Sequence, residues 1–384
     1  MLKCFCFFSL LLLCNGCVEE PKRIGPEETT YGTFKDIDLD EISKRIAFLD
    51  MTVVAPGAGI TEEHIRTMQI LKEKYGVNIP LPAIANKSAN YCADSVENRL
   101  KFIDEAIKST HPIIWAMRGG FGTNMLMAEM DKWPVPKEKK VIVGFSDTTS
   151  LQLFVTQKWG WNAIHAPVLI HLSDTVFSRD KFATLLDILE GKISEYNIDE
   201  VYPINELARK QKSVEGRLTG GNLTLIQSSI GTCWEVQTKG KILFVEDNNM
   251  RPWWIYRSMY HLKESGRLDG VKAIIFGRFV KTGTTQREVG KVLVEFANSI
   301  DVPVYVTDQF GHGNHNMPLI YNAKATLHDM KMTISVDEKL QKALAETYQK
   351  QKERLEEEQK KQIQLTKDQE KETQGEDVND TNLP

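Results

Sequence analysis

Short apolar runs and helical stripes alternate through most of this 384-residue chain. From Met51 onward, apolar runs typical of buried strands are followed by apolar residues at the spacing of an amphipathic helix. This alternation indicates a parallel sheet with crossover helices, and therefore an α/β fold. The pattern predicts strands at residues 51–55, 113–117, 141–144, 163–168, 241–247, 273–277 and 302–306, and helices after Thr61, across 94–109 and through Phe182.

The same pattern divides the chain into two domains and a tail. A polar, irregular stretch at residues 196–213 separates an N-terminal α/β domain (50–195) from a C-terminal domain (214–336). Residues 337–384 are rich in Glu, Lys and Gln with few apolar positions. This tail is predicted to be a charged, solvated helix that ends in disorder.

Composition and charge agree with a soluble globular protein. The chain is 41% apolar and 26% charged, and its formal net charge is −4, which argues against nucleic acid as the main partner. Outside the N-terminal segment only Cys92 and Cys233 remain, too few for a disulfide framework or a metal cluster. Two free thiols are favoured for this pair, with a single bridge as the alternative.

The N-terminus has the proportions of a secretory signal. Residues 1–16 contain one early Lys and an apolar run that is too short for a membrane span. Gly16 directly before Cys17 resembles a bacterial lipoprotein signal, so Cys17 is predicted to be lipidated and residues 17–49 to form a tether. The protein is then exported and membrane-anchored, facing the periplasm or the cell exterior. An uncleaved anchor and a cytoplasmic location are the alternatives.

Ser146 stands where a predicted strand turns into a helix. The strand at 141–144 ends in Gly144, and apolar residues at helical spacing begin at Leu151. Such a turn lifts a hydroxyl out of the sheet and directs the first free N–H groups of the helix toward the atom it attacks. The alternative is an ordinary helix N-cap, which is the commoner use of Ser and Asp at this kind of junction.

Three other segments place chemically useful groups in loops or at strand ends. Arg118 begins a glycine-rich loop (118–122) that is either a tight turn or a place where backbone N–H groups approach a substrate oxygen. Glu246 and Asp247 end a predicted strand, where carboxylates either cap the next helix or belong to a functional site, as strand ends often do in α/β domains. The third segment is a loop flanked by glycines, and it contains His312 and His315, which are either solvated or part of a site.

Together these segments resemble the LD-carboxypeptidase family of serine peptidases, which includes the microcin-self-immunity peptidases. The matches occur in the family's order over about residues 51–335, so the set is far more specific than any single match. The set therefore favours the functional interpretation of Ser146 over the N-cap. The matching segments are residues 53–56, 118–122, 144–148, 220–223, 243–247 and 311–312.

The resemblance implies the roles of the candidate residues. Ser146 is implied as the nucleophile, Glu246 as the acidic member and His312 as the base, with no metal or cofactor. A flavodoxin-like N-terminal domain and a smaller mixed C-terminal domain are implied, with the site at their junction and a homodimer as the common assembly. The oxyanion donors are predicted to be the backbone N–H groups of Asp147 and Gly120, with Gly119 as the second choice.

One departure from the family pattern lies in residues 317–322, where Asn322 occupies the position expected for Gly. Asn also adopts the left-handed backbone conformation, so the turn is expected to survive, but the choice between His312 and His315 stays open.

The activity implied is hydrolysis of an L-to-D peptide bond, with release of terminal D-alanine from a murein tetrapeptide. The rival hypothesis is a lipoprotein that binds a muropeptide or another solute between two lobes without chemistry.

Overall fold

The computed structural model describes residues 39–75, 91–173 and 179–376. The predicted signal, Cys17 and most of the predicted tether lie outside these residues. None of the helices described is both long enough and apolar enough to cross a bilayer.

The described residues form two sheets with helices packed around them. The strands are β1 (Met51–Val54), β2 (Ile113–Ala116), β3 (Val141–Gly144), β4 (Asn162–His165), β5 (Glu195–Ile198), β6 (Tyr202–Pro203), β7 (Val214–Asn222), β8 (Lys241–Asn248), β9 (Ala273–Val280), β10 (Val304–Gly311), β11 (Leu319–Ile320), β12 (Lys324–His328) and β13 (Lys331–Ser335). The helices are α1 (Leu39–Ala47), α2 (Glu62–Tyr75), α3 (Val96–Lys108), α4 (Met127–Met130), α5 (Thr149–Phe154), α6 (Arg179–Leu189), α7 (Glu206–Lys210), α8 (Leu223–Ser229), α9 (Pro252–Glu264), α10 (Gln286–Asn298) and α11 (Glu338–Glu376).

The first sheet has the strand order β1-β2-β3-β4-β11. Strands β1 to β4 are parallel, and every residue of β2 and β3 is buried, as expected for strands covered on both faces by helices. The predicted parallel sheet is therefore confirmed. The edge strand β11 runs antiparallel to β4, so a late part of the chain completes the sheet of the N-terminal domain.

The second sheet is mixed, with the order β5-β13-β12-β7-β8-β9-β10-β6. Its central strands β7 to β10 are parallel, and β12 and β6 flank them in antiparallel orientation. The predicted α/β class, with a parallel N-terminal sheet and a mixed C-terminal domain, is confirmed. The carboxyl ends of β3 in the first sheet and of β8 and β10 in the second supply the groups of the candidate site.

Helix starts follow local capping chemistry. Ser95 accepts a hydrogen bond from the backbone N–H of Asn98, so α3 begins after Ser95 and not at the predicted Asp94. Thr285 and Glu288 form a capping box at the start of α10.

The structure corrects the interpretation of residues 196–213 as irregular. Strands β5 and β6 lie there and pair with β13 and β10, so the second sheet takes its two edge strands from this segment. Its polar composition reflects the half-exposed edges of a sheet, since β5 alternates exposed and buried residues.

Two helices at the chain ends are also more firmly packed than predicted. Helix α1 occupies residues assigned to the tether, buries Ile42 and Ile46, and its Arg45 binds Asp187 and Glu190 at the end of α6. These contacts fix α1 against the first domain.

Helix α11, predicted to be a solvated helix, begins on the protein body. Leu340 and Leu344 are buried, and the Gln341 side chain donates to the carbonyl of Gly191 at 3.2 Å. Of the two body cysteines, Cys92 is buried, Cys233 is partly buried, and both are free thiols.

Candidate active site

The turn at Ser146 has strained backbone geometry. Ser146 has φ of 62°, in the left-handed region that non-glycine residues rarely adopt, directly after the extended Phe145. A conformation of this kind costs about 1–3 kcal/mol and persists only where the surroundings hold it. The turn joins β3 to α5 through a short 3₁₀ turn, Ser146–Thr148, so the hydroxyl stands at a helix start as predicted.

The structure places a hydroxyl, an imidazole and a carboxylate in sequential contact. His312 Nε2 lies 3.0 Å from Ser146 Oγ, and His312 Nδ1 is hydrogen-bonded to Glu246 Oε2. The side chain of His312 is 11% exposed and that of Glu246 is fully buried. With the Nδ1 proton directed at the carboxylate, Nε2 is the acceptor for the Ser146 hydroxyl.

Irregular strand pairing in the second sheet positions Glu246 and His312 at the site. The β8–β9 register shifts between Val245 and Asp247, so Glu246 sits at a bulge. The β9–β10 register shifts between Val306 and Gly311, just before His312. Both side chains leave regular strand geometry at the point where they turn toward Ser146.

Gly311 permits this close packing. Its φ is 110°, and a Cβ at this position would lie 2.8 Å from the carbonyl oxygen of Arg278 and 2.9 Å from Glu246 Cβ. The following loop is held by the buried Asn316, whose Oδ1 accepts from the backbone N–H of Gly311 at 3.2 Å. Both ring nitrogens of His312 are engaged at the site, so His312 and not His315 is the ring between the hydroxyl and the carboxylate.

The pKa of His312 reflects opposing effects. Burial of the ring by itself lowers the pKa, whereas the adjacent Glu246 carboxylate raises it, and the net pKa of His312 lies above the ordinary value. Asp247 adds to the increase and Lys281 opposes it. A more basic imidazole is a stronger proton acceptor but is neutral only at higher pH.

The glycine-rich loop lies against the nucleophile. A Cβ at Gly119 would lie 2.9 Å from Ser146 Cβ and 3.1 Å from Ser146 Oγ, so any side chain there would displace the serine. The Gly119 carbonyl accepts from the backbone N–H of Ala58 at 3.2 Å, which fixes the loop. Neither the backbone N–H of Asp147 nor that of Gly120 donates to an acceptor in the described part of the chain.

The Asp147 side chain has a structural role that was not predicted from the sequence. It is buried, and its Oδ2 accepts from the backbone N–H of Thr123 at 2.9 Å and from Thr123 Oγ1 at 2.6 Å. Burial raises the pKa of Asp147, although the bonds from Thr123 partly offset this. The carboxyl fastens the glycine-rich loop to the serine turn.

Asp247 and Asn222 join the two domains beneath the site. The Asn222 backbone N–H donates to Thr149 Oγ1 of α5 at 3.1 Å, and its side-chain amide donates to Asp247 Oδ1 at 3.0 Å. Asp247 Oδ2 also accepts from Thr224 N and Oγ1, each at 2.8 Å. Burial, followed by the neighbouring Glu246, raises the pKa of Asp247 to about 6. Of the two strand-end carboxylates, Glu246 therefore reaches the imidazole and Asp247 braces the junction.

An aromatic layer supports the imidazole and includes a histidine that was not predicted. Phe145 packs against His312 with ring centroids 4.8 Å apart and against the fully buried His165 at 5.7 Å. No described residue hydrogen-bonds to either ring nitrogen of His165, and burial lowers its pKa to about 4, which keeps it neutral. The sequence feature that could have identified His165 is its position at the carboxyl end of β4, the strand next to β3.

The expectation of left-handed geometry at Asn322 is confirmed, with φ of 60°. Among the described residues, no group of three or more His, Cys, Asp or Glu side chains is arranged to hold a metal ion.

Comparison with known proteins finds the same family in both halves. Residues 51–166 match the family model for the LD-carboxypeptidase N-terminal domain, and residues 215–327 match the LD-carboxypeptidase C-terminal domain. A Rickettsia prowazekii protein, provisionally named a carboxypeptidase, is 38% identical over 297 residues, 77% of this chain and 92% of that protein. The murein tetrapeptide carboxypeptidase of Pseudomonas aeruginosa is 28% identical over 73% of this chain and 94% of its own length.

Solved structures share the fold. The muramoyltetrapeptide carboxypeptidase of Oxalobacter formigenes superposes with a TM-score of 0.62 at 25% identity, over 74% of this chain and 98% of that one. The structure of MccF in complex with glutamyl sulfamoyl guanosine superposes with a TM-score of 0.65 at 20% identity, over 76% of this chain and 97% of that one, which shows a common fold.

Proposed function

This chain belongs to the LD-carboxypeptidase family and is a serine-type carboxypeptidase, and from that premise we propose its bond and its mechanism. It hydrolyses an L-to-D peptide bond and releases the terminal D-alanine of a murein tetrapeptide. Ser146 is the nucleophile, His312 the general base, and Glu246 the carboxylate that orients the imidazole. The observation that carries this proposal is the unbroken contact from Ser146 Oγ through the His312 ring to Glu246.

The names of relatives support the choice of substrate. A murein tetrapeptide carboxypeptidase and a muramoyltetrapeptide carboxypeptidase share the family or the fold over most of their length. Such enzymes have to distinguish the peptide bond between an L-configured residue and a terminal D-alanine from an ordinary bond between two L-residues.

Acylation begins when His312 Nε2 accepts the proton of the Ser146 hydroxyl as Oγ attacks the scissile carbonyl carbon. The carbonyl oxygen becomes an oxyanion, which receives hydrogen bonds from the backbone N–H groups of Asp147 and Gly120. Loss of one such donor typically costs about 10²–10³ in rate. His312 then gives its proton to the departing amine of D-alanine, which leaves an acyl group on Ser146.

Deacylation follows the same steps with water as the nucleophile. His312 takes a proton from water as its oxygen attacks the acyl carbon, and then returns the proton to Ser146 Oγ. Glu246 accepts the Nδ1–H bond throughout, so it holds the tautomer and stabilises the imidazolium formed in each step.

Export and anchoring complete the proposal. A lipid on Cys17 would hold the enzyme at a membrane outside the cytoplasm, where murein peptides occur, and residues 18–38 would separate the lipid from the folded body. Homodimer formation stays a prediction.

The function is tested by incubating the purified chain with a tetrapeptide that ends in D-alanine and with the tripeptide that lacks it, followed by mass analysis. We expect D-alanine release by the wild type and its loss in Ser146→Ala. Ser228→Ala is the matched control, because among the described residues this exposed hydroxyl bonds only the carbonyl of Thr224 on α8. Release that persists in Ser146→Ala would rule out the mechanism, and binding without cleavage by the wild type would favour the non-catalytic muropeptide binder.

A further inference from the structure

Arg118 carries a half-buried guanidinium without an acidic partner in the described part of the chain, and its backbone adjoins the loop residue that contacts the nucleophile. It directly precedes Gly119, the residue whose Cβ position lies 3.1 Å from Ser146 Oγ. Its side chain is half-buried, and its one hydrogen bond to a described residue goes from Nη1 to the carbonyl of Gly59 at 2.8 Å. A guanidinium has five N–H groups, so most of its donor capacity is not used by these contacts.

Three other buried or partly buried arginines of the described chain have more hydrogen-bond or charge partners than Arg118. Arg99 is fully buried and donates to the carbonyls of Asp94, Pro56 and Gly122, which fixes the loops around it. Arg45 and Arg278 each pair with carboxylates. Arg118 therefore differs both from the buried structural arginine and from the paired ones.

The electrostatics of Arg118 favour an anion. Burial lowers the pKa of Arg118, and no carboxylate of the described residues raises it again. The guanidinium nevertheless stays charged at neutral pH, because an arginine pKa starts far above this range. A charge that is partly removed from water and lacks a counter-charge is unfavourable, and an anionic ligand would relieve that cost.

The substrate of a carboxypeptidase supplies such an anion close to the nucleophile. The carboxylate of a C-terminal residue lies only three bonds beyond the scissile carbonyl carbon, within about 5 Å by standard backbone dimensions. Arg118 lies one residue from Gly119, the residue whose backbone contacts Ser146, so a carboxylate at this distance from Oγ lies within the length of an arginine side chain at position 118. A planar guanidinium also suits a carboxylate, because it can donate two parallel hydrogen bonds.

We propose that Arg118 binds the terminal carboxylate of the substrate and restricts cleavage to the last peptide bond. This inference rests on the proposed function and specifies how the same site recognises its substrate. Lys281 is the competing cation. It is exposed, and it acts on His312 electrostatically by lowering the imidazole pKa. A compact ammonium lacks the bidentate geometry of Arg118, so Lys281→Gln serves as the charge-matched control.

The test measures binding apart from chemistry. In a Ser146→Ala background, calorimetry compares a tetrapeptide that ends in D-alanine with the same peptide ending in the D-alanine amide. We expect the acid to bind about 10–100-fold more tightly, as for a charge-assisted bidentate contact. Arg118→Gln should remove this preference and leave amide binding unchanged, Arg118→Lys should retain part of it, and Lys281→Gln should keep it. Thermal unfolding of each variant checks that it is folded.

Two further experiments complete the test. The first distinguishes the terminal carboxylate from a side-chain carboxylate, and the second distinguishes failure of this inference from failure of the proposed function. A peptide series with and without a side-chain carboxylate before the scissile bond should show the same dependence on Arg118. If the preference follows that side chain, or survives Arg118→Gln, the assignment is wrong. In the Ser146-containing enzyme, Arg118→Gln should raise KM for the acid far more than it lowers kcat. Acid-specific binding through Arg118 without any hydrolysis by the wild type would reject the proposed function but keep the carboxylate site.

Discussion

His312 Nε2 lies 3.0 Å from Ser146 Oγ although 166 positions of sequence separate the two residues. One residue follows a strand of the parallel sheet, and the other follows a strand of the mixed sheet. The contact therefore depends on how the two sheets are joined, and the bonds of Asn222 to Thr149 and of Tyr321 to the Gly220 carbonyl lie at that junction.

The carboxylate of Glu246 should control the acid limb of the activity profile. Because the base must be neutral, kcat/KM should rise with pH through the pKa of His312, which lies above about 6.5. Glu246→Gln removes the charge that raises this pKa while burial of the ring still lowers it, so the limb should move to lower pH. The plateau should fall about 10²–10⁴-fold through loss of the orienting charge.

The measurement is kcat/KM for D-alanine release from pH 5 to 9 at constant ionic strength. Asp308→Asn is the matched control, since this carboxylate pairs with Arg278 and is absent from the groups that shift the pKa of His312. An acid limb at the same pH in the wild type and Glu246→Gln would contradict the assignment of Glu246.

The two histidines of the late loop should differ sharply in importance. His312→Ala removes the proton acceptor of Ser146, and kcat should fall by at least about 10³, the scale of a lost triad member. The kcat of His315→Ala should stay within about tenfold of the wild type, because it is His312 that contacts both Ser146 and Glu246. Steady-state kinetics of both variants decide this, and the reverse order would exchange their roles.

A side chain at Gly119 should disable the nucleophile without unfolding the protein. Gly119→Ala places a methyl 2.9 Å from Ser146 Cβ, and the serine must move. A displacement of this kind costs about 10² or more in kcat/KM. Gly290→Ala, in α10, is the matched substitution and should leave activity unchanged, because no described atom beyond the helix's own backbone lies within 4 Å of its Cβ position. Equal activities in the two variants would show that the glycine-rich loop does not pack against Ser146 in the active enzyme.

The buried Asp147 should contribute to stability as well as to site geometry. Asp147→Ala removes the acceptor for two bonds from Thr123 and leaves a buried backbone N–H without a partner. The free energy of unfolding should fall by about 1–3 kcal/mol. Among the contacts of the described residues, Asp104→Ala breaks only an exposed pair with Lys108, and it should change the free energy of unfolding by less than about 1 kcal/mol. Urea unfolding followed by fluorescence compares the two, and similar midpoints would contradict a structural role for Asp147.

Cysteine substitution tests the proposed lipid anchor. In a bacterial host that processes lipoproteins, the wild type should partition into detergent and carry a lipid at Cys17. Cys17→Ser should remain in the aqueous phase, whereas Cys14→Ser should behave like the wild type. Phase partition and mass analysis of the N-terminal peptide provide the measurement. Identical partition of wild type and Cys17→Ser would exclude the anchor.

Local patterns were sufficient for much of the first sheet and for the serine turn. The apolar run of β3 was predicted over the residues at which the strand occurs, because a strand buried on both faces leaves a continuous hydrophobic signal. Ser146 was placed at a strand-to-helix turn for the same reason. Half-exposed edge strands such as β5 and β6 lack that signal, and their segment was wrongly predicted to be irregular.

The sequence by itself determined the α/β alternation, the turn that exposes Ser146, and the set of carboxylates and histidines available to it, since these follow from periodicity and residue chemistry within a few positions. The family resemblance implied Glu246 and His312, but only the tertiary structure showed that Glu246 and not Asp247 contacts the imidazole and that His312 and not His315 contacts the serine. It also showed that the loop beginning at Arg118 packs against Ser146. Those choices depend on strand bulges and on the packing of two sheets. Both are set by contacts between residues far apart in the chain, which no local pattern records.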